Sequence, residues 1–175
     1  MPRKIHLKKT ALVKSAVYTA VFLILLLFST SFLPALRLTR VSPNLLIAAI
    51  SLLAYFEGVG YASIFAVCFG ALQAGVSGFG SAILPVFYTL FALACAWLYE
   101  RFFAKNFFAW LCYTGVGLLL YGLIGLFRSV SAWELPIGVD FLTDALYAFG
   151  LSLLLSLPLY KLFGLLCRKT DLRLE

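Results

Sequence analysis

Apolar residues in this chain come in long runs broken by short clusters of charge, Pro and Gly. They show neither the alternation of a half-buried strand nor the single stripe of a surface helix. The breaks leave six runs: Ser15 to Leu33, Asn44 to Phe56, Tyr61 to Val76, Ala82 to Tyr99, Phe107 to Phe127, and Phe141 to Leu166. Runs this long and this apolar predict helices that cross a membrane. The second is short, since thirteen residues rise about 20 Å against a hydrocarbon core of about 30 Å.

Its boundary turns on the sequence FEGVGY, where Glu57 stands between two apolar runs and is followed by Gly58 and Gly60. A single span from Asn44 to Val76 would bury Glu57 at mid-membrane beside two helix-weakening glycines, at a cost of a few kcal/mol. Charge distribution gives an independent test. With six spans, one side of the membrane holds Arg3, Lys4, Lys8, Lys9, Lys14, Arg101, Lys105, Lys161, Arg168, Lys169 and Arg173, and the other holds Arg37, Arg40 and Arg128. Merging two runs into one span destroys that asymmetry. Basic residues gather on the cytoplasmic side of membrane proteins, so six spans with both termini cytoplasmic are expected. Glu57, Gly58 and Gly60 then form a tight cytoplasmic turn, with the glycines supplying positive φ.

Composition agrees with this pattern. Of 175 residues, 63% are hydrophobic and 12% charged, whereas a soluble domain carries about a quarter charged residues. An all-α integral membrane protein forming one transmembrane domain over residues 1–175 is the expectation. The net charge of +7 does not point to nucleic acid, because the cations flank apolar runs rather than forming a stripe with interleaved aromatics. The first run exceeds the apolar core of a cleavable signal peptide and reads as an uncleaved span. Trp97, Tyr99, Trp110 and Trp133 fall near expected helix ends, as belt aromatics do.

Candidate chemistry is sparse. Cys68, Cys95, Cys112 and Cys167 are widely spaced without a C-x-x-C pair, and the one histidine, His6, lies in the basic start, so neither metal nor cofactor is expected. An enzyme is not expected either, since the spans hold no histidine and no paired carboxylates at mid-depth. Gln73 is the one strongly polar side chain placed in mid-span. From the third run to just past its end, Ala62, Ala66, Gly70, Ala74 and Gly78 recur every fourth residue, a strip that admits close helix approach, either within the chain or by a partner's helix. Ala16 and Ala20 make a second small pair in the first run. Asp140 and Asp144 stand one turn apart at the outer start of the last helix, where the helix dipole favours acids; pairing with Arg128, Arg37 or Arg40 is the functional variant.

The run LRLTRVSPNLLIAAISLLAYFEGVGYASIFAVCFGALQAGVSGFG, from Leu36 to Gly80, resembles the bacterial rod shape-determining protein MreD family. The matching positions are Pro43, Asn44, Leu45 and Leu46, then Phe56, Glu57 and Gly58, then Ile64, Phe65 and Gly70. LYAFGLSLLLSLPLYKLF, with Pro158, Leu159 and Tyr160 before a basic end, is similar to the family's last helix. Many members carry an Asp where this chain has Gln73 and Ala74. The resemblance implies a non-enzymatic subunit of the cell-elongation machinery in the bacterial cytoplasmic membrane, helping to position peptidoglycan synthesis. Its implied partners are an MreC-like single-pass membrane protein, with the MreB filament, peptidoglycan synthases and membrane lipid nearby. The family's six-helix architecture also resembles the substrate-binding components of energy-coupling-factor vitamin transporters. Those often carry an A-x-x-x-A docking patch like Ala16 and Ala20, and such a component is the alternative expectation.

Overall fold

The computed structural model describes residues 3–32, 43–76, 82–101, 106–131 and 139–172, with side chains over 12–31, 43–76, 82–101, 106–127 and 143–168. Six α-helices account for nearly all of them: α1 (Arg3–Leu27), α2 (Leu45–Glu57), α3 (Val59–Val76), α4 (Ile83–Arg101), α5 (Phe107–Ser131) and α6 (Val139–Leu172). A π-helical turn, Phe28–Phe32, extends α1. No strand occurs among the described residues. Helices 1, 3, 4, 5 and 6 contain stretches long and apolar enough to cross a membrane, which makes this a multi-pass membrane protein. The fifty-ångström length of α6 and the early start of α1 carry helix past the expected ends of both runs, so the basic start of the chain is helical from Arg3.

Packing pairs fix the direction of every helix. Ser29 meets Pro43 while Tyr18 meets Glu57, so α1 and α2 run antiparallel. Tyr18 packs on Tyr61 and Phe65, and Phe22 on Phe65 and Phe69, which sets α3 parallel to α1. Asn44 reaches Tyr88 and Tyr55 packs on Tyr99, so α4 runs with α2. Ser51 contacts Trp110 and Thr114 while Ile47 lies over Gly117, placing α5 antiparallel to α2. Asn44 with Ser152 and Tyr55 with Tyr160 orient α6 like α2. Direction thus alternates at each step. The start of α1, the corner after α2 and the end of α6 share one end of the bundle, here called the basic end.

The shortest helix is the most enclosed. Every residue of α2 from Leu45 to Tyr55 is buried, whereas α3, α4 and α5 bury one face each and turn Ile64, Leu90 and Leu119 outward. An apolar helix of ten to fourteen residues without a polar face is the mark of an interior element, and the other five helices surround this one. Several of its residues are small, namely Ala48, Ala49, Ser51 and Ala54, so neighbouring backbones approach closely.

The strip on α3 also faces inward. Ala62, Ala66, Gly70 and Ala74 are buried, and a Cβ on Gly70 would lie 2.7 Å from Pro85 Cα and 3.0 Å from Tyr88 Cδ2. This strip is covered by the chain's own α4, so a partner helix finds no open face there; Gly78 falls outside the described residues. The fourth-residue spacing is a packing device because α3 and α4 form a close hairpin. Pro85 is accommodated in the first turn of α4, where its missing N–H has no intrahelical acceptor to lose.

Two belt assignments are corrected. Trp110 is fully buried and Tyr99 nearly so, both inside an aromatic cluster with Tyr55, Phe107 and Tyr160, because both pack directly on α2, Trp110 at Ser51 and Tyr99 at Tyr55. Trp97 does face outward, with the Arg101 guanidinium 5.9 Å above its ring; Trp133 lies outside the described residues.

Two glycine substitutions separate these environments. Gly70→Ala drives a methyl into backbone and is expected to lower stability by about 1–3 kcal/mol. Gly122→Ala, on the open face of α5 with nothing within 4 Å, should be neutral or stabilise by up to about 1 kcal/mol. Thermal unfolding of both variants in one detergent compares them directly.

Candidate functional site

Polar side chains inside a membrane helix bundle mark either function or structural ties, and α2 carries one at each of three levels: Asn44, Ser51 and Glu57. Titratable groups gather at Glu57. Its carboxylate sits between the negative end of α2 and the positive start of α3, because one residue, Gly58, separates the two helices. Gly58 has φ 80 and ψ −167, a region open essentially to glycine alone, and its carbonyl accepts from Ala62 N at 3.3 Å to begin the ladder of α3. The turn is therefore shorter than the expected EGVG. Val59 and Gly60 already belong to α3, and among the described glycines Gly58 alone has positive φ.

Three donors converge on one oxygen of Glu57. Lys14 Nζ lies 2.7 Å from Oε1, the Tyr18 hydroxyl donates to it at 2.6 Å, and the Cys167 thiol approaches it at 3.5 Å. Cys167 Sγ is also 3.1 Å from the Tyr18 oxygen. With the Tyr18 proton committed to the carboxylate, the single thiol proton is shared between the Tyr18 oxygen and Glu57 Oε1. The side chains of Lys14 and Glu57 are 15% and 9% exposed, so the pair is largely withdrawn from solvent and lipid. It binds α1, α2 and α6 at the basic end. Glu57 is charge-compensated and its oxygen is saturated by donors, a disposition suited to holding helices together.

At the opposite end Asn44 does similar work without charge. Its Oδ1 accepts from Leu46 N at 3.0 Å, capping α2, while its Nδ2 donates to the Tyr88 hydroxyl. Tyr88 in turn donates to Gln73 Oε1. The Asn44 backbone N–H donates to Ser152 Oγ at 3.1 Å, and Ser29 Oγ donates to the Pro43 carbonyl at 2.7 Å. Gln73 is thus not a mid-span residue; it lies in the last turns of α3, next to the α2 cap. Midway, Ser51 Oγ accepts from Trp110 Nε1 at 3.0 Å and lies 2.9 Å from Thr114 Oγ1.

The other expected site residues are not brought together with these. Ala16 and Ala20 are exposed on α1. Asp144 is half-buried in α6; Asp140 and Arg128 lie in α6 and α5 with side chains outside the described set, as are Arg37 and Arg40 entirely. All four cysteines are free thiols, with Cys68 and Cys112 exposed and Cys95 and Cys167 buried. Among the described residues no three His, Cys, Asp or Glu side chains stand together as metal ligands do. Sequence reading singled out Glu57 and Gln73 but missed Lys14, Tyr18, Cys167, Asn44, Tyr88, Ser152, Ser51 and Thr114 as their partners or counterparts. The available signal was that polar residues within the apolar runs are few, so each needs another.

No family model, curated protein or solved structure matches this chain.

The Glu57 cluster yields a thermodynamic cycle. Glu57→Ala leaves Lys14 without its counter-charge and is expected to cost about 3–5 kcal/mol, whereas Lys14→Met with Glu57→Leu removes both charges and should cost distinctly less than the sum of the single changes. Gly58→Ala should cost about 1–3 kcal/mol through the backbone alone. At the far end Gln73→Leu removes the acceptor for Tyr88, an expected loss of about 1–3 kcal/mol. Detergent-phase unfolding midpoints check all of these.

Proposed function

We propose that this protein is a non-enzymatic membrane subunit of the bacterial cell-elongation machinery, similar to MreD, residing in the cytoplasmic membrane and binding an MreC-like single-pass protein. The observation carrying this reading is the order of motifs: Pro43 to Leu46, then Phe56 to Gly58, then a small-residue third helix with Gly70. Their places in the fold support it. Asn44 caps the buried α2, Glu57 and Gly58 close it, and Gly70 seats α3 on α4, so several of the matching residues are ones on which the bundle is built, while Ile64 faces outward. On this reading the basic end faces the cytoplasm, α2 counts as a sixth, short span, and the MreB filament and peptidoglycan synthases belong to the same assembly. Because α4 covers the Ala62 to Ala74 strip, an MreC-like helix docks elsewhere, on a lipid-facing surface.

One observation favours a second reading. Ala16 and Ala20 are open on α1, as a docking patch of a vitamin-transporter substrate-binding component would be.

Affinity purification of the tagged full chain from native membranes in mild detergent, with the companions identified by mass spectrometry, separates the two. An MreC-like single-pass protein with wall synthases is the expected recovery. A transmembrane coupling subunit with ATPases, in its place, overturns the elongation reading in favour of vitamin uptake.

A further inference from the structure

We infer that the outward face of α6 is a binding site for an anionic phospholipid, independent of which partner proteins the chain has. Leu154, Leu157, Lys161, Leu165 and Arg168 follow one another at spacings of three, four, four and three residues, which keeps them on one side of a helix. All five are exposed, the three leucines by 64%, 42% and 61%. Along the axis the order is apolar, apolar, cation, apolar, cation, running toward the basic end where α6 leaves the membrane.

A ligand that matches this stripe must have a hydrocarbon part and an anionic head in that sequence along the helix axis, which is the chemistry of a phospholipid and not of a soluble acidic protein. Lys161 lays its stem along the leucines and extends its ammonium outward to headgroup depth. Arg168, two turns or about 10 Å further along, offers a planar donor fork to phosphate oxygens. Among the described residues neither cation makes an ion pair, and the buried carboxylate of Glu57 is taken by Lys14. Helix α6 also holds Cys167 and Phe163 against Tyr18 on its opposite side, so lipid bound on the outer stripe braces a helix already fixed from within.

The test is native mass spectrometry of the full chain purified in detergent and mixed with phosphatidylglycerol or phosphatidylcholine at equal mole fraction. Phosphatidylglycerol adducts should survive activation at least about fivefold more than phosphatidylcholine. The Lys161→Gln/Arg168→Gln variant should lose that retention by about tenfold or more, given the attraction each cation near a membrane surface exerts on anionic lipid, and Arg168→Gln alone by a smaller factor. Both positions are exposed, and an unchanged thermal midpoint confirms that the variants fold. Inorganic phosphate should not displace the lipid. Equal retention of the two lipids, unchanged retention in the double variant, or displacement by phosphate alone each overturns the proposal.

Discussion

A helix of thirteen residues placed in hydrocarbon has a problem at both ends. Its first N–H and last C=O groups lack intrahelical partners, and lipid supplies none, so each must be met from inside the protein. The bundle is arranged around this requirement of α2. At its start the Asn44 side chain takes up Leu46 N, and the flanking Pro43 carbonyl accepts from Ser29. At its end Gly58 passes directly into α3, so one corner serves as the close of one helix and the opening of the next. Five longer helices then shield the short one from lipid.

The forces that hold those five in place differ from those of a soluble core. Once helices are in lipid, apolar side chains gain little by leaving one hydrocarbon for another, and association depends on close dispersion contact and hydrogen bonds. Both appear on α2. Its alanines and serine let neighbours in, and Asn44, Ser51 and Glu57 connect it to α4 and α6, to α5, and to α1 and α6 respectively. Helix α3 is held by steric fit at Gly70 and by Gln73 through Tyr88. A glycine at position 117 completes the pattern on α5, since a Cβ there would overlap the Phe91 ring at 2.4 Å. The polar ties set register along each helix, while the small residues set distance between helices.

Much of the fold was legible because hydrophobicity marks helices directly. The runs ending at Val76 and beginning at Ala82 match α3 and α4 within a few residues, and the break at Glu57 and Gly58 falls where expected. What the runs do not encode is which of them is central. The second run looked deficient as a span, and that deficiency was itself the sign of an interior helix. Side-chain partners were less legible than helices: Glu57 lies 43 and 110 positions from Lys14 and Cys167, and no local pattern announces either contact. Trp110 and Tyr99 depart from the expected belt because a position near a helix end does not say whether the residue faces lipid or a neighbouring helix.

The same economy bears on where this protein can act. Its interior polar groups are largely engaged with one another: Glu57 with three donors, Asn44 with Leu46, Tyr88 and Ser152, and Ser51 with Trp110 and Thr114. The buried Tyr99 hydroxyl is an exception, with no hydrogen-bond partner among the described residues. A bundle that spends its polar residues on its own register presents to others its surfaces and its ends. The surfaces are apolar, and the end shared by α1, α4 and α6 is rich in Lys and Arg. At that end the ion pair at the corner of α2 and α3 ties α1, α2 and α6 to one another, so the surface offered there is held by a charge that the bundle keeps inside.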